Sequence, residues 1–137
     1  MELVSSILED YASRGVFSGF RLNKRQARKV DFTVQWHFRR VFSIVLDETK
    51  SSLTLSGLLP HVSAAPGLRR ELAAYLRRYA SPERQAHRRI DPEKAVVSCY
   101  VRNDSLSLRV DVRDGDYEYA TRKLVHLVNE VSLDFLR

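Results

Sequence analysis

The chain is short of almost everything that marks a specialised class. It has one cysteine, Cys99, so no disulfide can form within it, and a small secreted disulfide scaffold is excluded. With 5 Gly and 4 Pro in 137 residues, neither a fibrous nor a low-complexity chain fits. No apolar run approaches the roughly 20 residues that a membrane-spanning helix requires. The opening residues, MELVSSILEDYASRG, mix acids with apolar side chains and lack the basic start and continuous apolar core of a signal peptide. These absences predict a cytoplasmic protein in a reducing compartment.

Chemical signatures are missing as well. His37, His61, His87 and His126 fall on four separate segments, and no pair has the spacing of a zinc site. There is no GxSxG elbow, no GxxxxGK[ST] loop and no GxGxxG turn. Cys99 sits inside a strand-like stretch, where a thiol behaves as a small hydrophobe. The sequence therefore predicts no enzyme, no cofactor and no metal.

What is present is enough apolar material for a core. Hydrophobic residues make up 44% of the chain, which predicts a single domain over residues 1–137. The charge is strongly basic, with 23 Lys and Arg against 17 Asp and Glu, a net +6. That balance favours acidic partners: nucleic acid, an anionic surface or an acidic protein.

The apolar periods set an order of elements. Leu3, Val4, Ile7, Leu8 and Tyr11 recur at helical spacing, predicting a helix over 2–14 that stops at Gly15. Residues 16–30 begin apolar and turn basic: Phe17, Phe20 and Leu22 are compatible with a short strand, and the run from Arg21 to Lys29 predicts an exposed loop or ragged edge. Residues 31–59 alternate at period two, as in Phe32, Val34 and Trp36, then Phe42, Ile44 and Leu46, then Leu53 and Leu55. This predicts a three-stranded meander. Leu68, Leu72, Tyr75, Leu76 and Tyr79 predict a second helix over 66–80, ended by Ser81-Pro82. Two alternating runs around Asn103-Asp104 predict a hairpin. Tyr117, Ala120, Leu124, Leu127, Val128, Val131 and Phe135 predict a closing helix. Asp114, Asp116 and Glu118 stand at its start, where either aspartate can cap it and the helix dipole favours acids. That cluster is read as a helix start and not as a catalytic site.

The predicted class is α+β: helix, three strands, helix, two strands, helix, with an antiparallel sheet covered by helices. This order resembles the type III secretion chaperone-like fold, shared with the YbjN-type domains of bacteria. The meander 31–57, the helix 67–80, the hairpin 95–113 and the closing helix 116–136 carry the resemblance, which spans nearly the whole chain. It implies a homodimer that binds a protein partner, with secretion chaperones holding an effector segment along apolar grooves. Those chaperones tend to be acidic and this chain is basic, which favours a YbjN-like binding module.

Two surfaces follow as expectations. Trp36, Phe42 and Tyr100 are candidate partner-binding residues if part of the sheet stays uncovered. Arg21, Lys24, Arg25, Arg28 and Lys29 form one basic patch, and Arg84, Arg88 and Arg89 a second. The first reading is a chaperone- or adaptor-like protein-binding module with an apolar groove and a basic rim. The alternative is a nucleic-acid-binding accessory protein that uses the two basic loops.

Overall fold

The computed structural model describes residues 2–36, 40–81 and 90–135, the last two by backbone alone. Helix α1 covers Glu2–Ser13, α2 covers Leu68–Tyr79 and α3 covers Tyr117–Phe135. The strands are β1 (Gly19–Gln26), β2 (Lys29–Trp36), β3 (Arg40–Asp47), β4 (Ser52–Leu59), β5 (Ala95–Arg102) and β6 (Ser105–Val112). They form one antiparallel sheet in the order β1-β2-β3-β4-β6-β5, so β1 and β5 are its two edges.

The α+β class and the order of elements stand as the sequence suggested, with one strand more. The basic run after Gly19 is the edge and not the loop of the two alternatives. It pairs with β2 from Gly19↔Gln35 to Gln26↔Lys29, with a bulge between Leu22 and Lys24. Residues 21–26 of this edge strand are exposed, so their side chains are solvated and can carry charge.

Register explains why the sheet has one dry face. Residues directly opposite one another in an antiparallel pair share a face. One row reads Leu22, Phe32, Ile44, Leu55, Leu108 and Cys99 across all six strands. A second reads Val30, Leu46, Leu53, Val110 and Val97. Every member of these rows on β2, β3, β4 and β6 is buried. The opposite face reads Arg21, Thr33, Ser43 and Ser56, then Lys24, Asp31, Val45, Thr54, Arg109 and Ser98. Among the described residues no helix covers it.

All three helices close the apolar face. Helix α1 inserts Val4, Ile7, Leu8 and Tyr11 at the β1 side. Helix α3 runs over β4 and β6, and Leu124, Leu127, Val128 and Val131 are all buried. Helix α2 packs beside β5 with Leu72, Tyr75, Leu76 and Tyr79, and Tyr75 Oη donates to Glu130 Oε2 of α3 at 3.1 Å. The closing helix is a lid on the sheet.

The acidic start of α3 has a local structural reason. Asp116 Oδ1 accepts the Tyr119 N–H at 3.0 Å, the bond an N-cap makes to the third helical residue. Lys94 Nζ lies 3.1 Å from Asp114 and 3.2 Å from Asp116, and these bonds hold its pKa above the usual lysine value. Asp116→Ala is expected to cost about 1 kcal/mol in a denaturant titration, while Asp116→Asn, which keeps an acceptor, costs a few tenths. Equal losses in the two would show that charge, and not the cap, is what matters.

The hairpin Asn103-Asp104 also follows its residues. Both have positive φ, 52° and 57°. A two-residue turn of that type demands this, and Asn and Asp tolerate it better than most side chains.

Candidate binding groove between α2 and β5

The two sheet edges differ. Edge β1 is bulged and carries Lys24 and Arg25, features that blunt an edge against pairing. Edge β5 holds an unbroken register with β6 over eight residues, Ala95↔Val112 to Arg102↔Ser105. Among the described residues no strand lies beside its outer backbone groups.

Helix α2 covers β5 only in part. Along the apolar face of β5, Ala95 is buried, Val97 and Cys99 are half-buried, and Val101 is exposed. Small residues on the adjoining flank of α2, Ala73 above all, leave space between helix and strand. One hollow of 410 Å³ is lined by Ala73, Leu76, Ala80, Ile90, Val97 and Cys99, with Arg77 on its rim. A second of 500 Å³ is lined by Gly67, Arg69, Arg70, Ala73 and Cys99. They share Ala73 and Cys99, so they form one groove.

The groove is apolar below and cationic above. Arg69, Arg70 and Arg77 are exposed, and among the described residues no acidic side chain lines either hollow. None of the three makes a salt bridge among the described residues. Burial pushes the Cys99 thiol up from its ordinary pKa, and the nearby Arg69 opposes that shift without cancelling it. Cys99 is therefore a neutral part of the groove floor near pH 7. Among the described residues no group of three or more His, Cys, Asp or Glu side chains is placed to hold a metal, and no helix is long and apolar enough to cross a membrane.

Trp36 and Phe42 belong to the core and not to a partner surface. They are 6% and 1% exposed, and their rings meet edge-on at 6.5 Å. Phe17, which follows α1, packs on Trp36 at 5.0 Å and closes it off further. Tyr100 is half-buried and lies opposite Ser107, on the uncovered face and outside the groove. Of the first basic patch, Arg21, Lys24 and Lys29 point to the uncovered face. Arg25, opposite Val30, points to the other, and Arg28 sits in the β1–β2 turn. Arg84, Arg88 and Arg89 lie outside the described residues, as do His37 and His87.

The rim arginines of α2 were visible in the sequence only as the polar side of an amphipathic helix. Nothing in a helical period shows that such a side borders an edge strand.

No family model matches the chain, and neither a curated protein nor a solved structure matches it.

Proposed function

We propose that the protein is a non-enzymatic binding module, adaptor- or chaperone-like, whose α2–β5 groove takes an extended partner segment rich in apolar and acidic residues. One observation carries this reading: an apolar floor bounded by Arg69, Arg70 and Arg77, none of them neutralised by a carboxylate of the described chain. Apolar side chains of the partner fill the floor, and its carboxylates meet the guanidiniums. Charge also argues against a second copy in this place. Two β5 edges paired with each other would set the rim arginines of both copies side by side. A homodimer has to use another surface, and a mass measured in solution at micromolar concentration decides whether one forms.

The test uses Cys99 as a built-in reporter. A short peptide alternating leucine with glutamate is titrated by fluorescence anisotropy, alongside a leucine–lysine peptide of equal length. Cys99 alkylation is followed in parallel on the alkaline side, where the thiolate forms. The leucine–glutamate peptide is expected to bind and to slow alkylation about tenfold or more at saturation, since occupancy of 90% leaves a tenth of the thiol free. The lysine peptide does neither. Binding that leaves Cys99 fully reactive would place the partner elsewhere and end this reading.

A further inference from the structure

The uncovered sheet face is a second surface, independent of the groove. Its middle carries short side chains: Thr33 on β2, Ser43 and Val45 on β3, Thr54 and Ser56 on β4, and Ser107 on β6. Thr33, Ser43 and Ser56 are directly opposite one another on adjacent strands. Longer side chains stand on both flanks, with Arg21, Lys24 and Lys29 on one and Tyr100, Arg102 and Arg109 on the other. The face is therefore a trough with a hydroxyl floor and cationic walls. Two hollows lie in it. One of 470 Å³ is lined by Thr33, Val41, Ser43, Ser56, Arg102 and Ser107, among others. The other, of 270 Å³, is lined by Lys24, Gln26, Lys29, Asp31 and Val45. Arg102 lines the first, and Lys24 and Lys29 line the second.

The charge balance here is positive. Arg21, Lys24, Lys29, Arg102 and Arg109 stand against Asp31, Asp47 and Asp111, five against three, or +2. The acids are engaged locally. Asp31 Oδ1 accepts from Ser43 Oγ at 3.1 Å, Asp111 pairs with Arg109 at 2.9 Å, and Asp47 accepts the backbone N–H groups of Thr49 and Lys50. Apart from Arg109, the cations make no such ion pair among the described residues. Arg21 bonds only to Asn23, and Lys24, Lys29 and Arg102 make no salt bridge among the described residues.

We propose that this face binds single-stranded nucleic acid. Phosphates meet Arg21, Lys24, Lys29 and Arg102, while the hydroxyls of Thr33 and Ser56 donate to phosphate and sugar oxygens. Tyr100 offers a ring to an unpaired base, a partner that a closed duplex does not present. With strands about 4.8 Å apart, the five gaps from β1 to β5 span about 24 Å, wide enough for several nucleotides. An acidic protein is the weaker fit. Protein interfaces rely on apolar anchors, and the large apolar side chain most exposed on this face is Val41 alone.

A fluorescein-labelled oligothymidylate and an oligouridylate, each of about 12 nucleotides, are titrated by anisotropy at several salt concentrations. Three to four phosphate contacts predict a log–log salt slope of about −2 to −3. Arg21→Glu with Lys24→Glu is expected to weaken binding at least about tenfold and to flatten the slope by about 1.4. Tyr100→Ala weakens it about tenfold. Arg102→Glu, on the opposite edge, tests the same face should the double variant fold poorly. The Arg69→Glu/Arg70→Glu variant keeps full affinity, which separates this surface from the groove. No binding at the lowest salt overturns the proposal. So does affinity indifferent to the Arg21, Lys24 and Arg102 changes, or equal displacement by polyglutamate.

Discussion

Phe32→Ala is expected to remove about 3–5 kcal/mol of stability, the range for truncating a fully buried aromatic. Phe32 is 0% exposed and stands in the dry row between Leu22 and Ile44. Its ring also stacks on Phe20 at 5.9 Å. Alanine would lose the transfer energy of the ring and leave a cavity between neighbours fixed by strand register. Single domains have about 5–15 kcal/mol in total, so about a fifth or more of the stability is at stake. The urea midpoint should fall sharply with little change in slope. Val41→Ala is the internal control. It lies nearby on β3 but on the uncovered face, at 64% exposure, and should change stability by less than about 0.5 kcal/mol. A larger loss at Val41 than at Phe32 would mean that the sheet buries the other face.

The sequence was informative wherever one period ran unbroken against one partner surface. The alternation of Phe32, Val34 and Trp36 and the helical spacing of Leu124, Leu127, Val128 and Val131 both mark buried faces in the structure. The start of α3 was equally legible, since a cap depends on residues within a few positions of each other. Strand β1 was obscured for two local reasons. The bulge after Leu22 breaks its alternation, and the side chains beyond it face water. The candidacy of Trp36 and Phe42 as partner-binding residues rests on the expectation that the helices cover one face of the sheet fully and the other partly. The helices instead gather on one face, so the residues facing them are wholly enclosed. The groove was not legible at all. It arises because α2 covers Ala95 but leaves Val101 exposed, and no pattern within either segment encodes how far that cover reaches.

Arg69→Glu with Arg70→Glu and Arg77→Glu is expected to weaken leucine–glutamate peptide binding by about 3 kcal/mol, a factor of about 150. An exposed ion pair contributes about 0.2–1 kcal/mol, and reversal both removes the attraction and adds repulsion of similar size, at three positions. The fold should survive, because all three side chains are exposed and make no salt bridge among the described residues. Arg78→Glu is the matched control. That guanidinium sits on the same helix, over the Tyr75 ring at 5.9 Å, and does not line the groove. It should leave affinity nearly unchanged. The decisive arm is the exchange of charge on the peptide. The reversed groove keeps its apolar floor, Val97, Leu76 and Cys99, so it should now take the leucine–lysine peptide that the native protein refuses. Added salt should erode both matched pairs by similar modest factors, since it screens the rim and leaves the floor intact. A reversed groove that binds neither peptide while remaining folded would show that the arginines do more than attract charge, and would remove the electrostatic half of the recognition argued for this site.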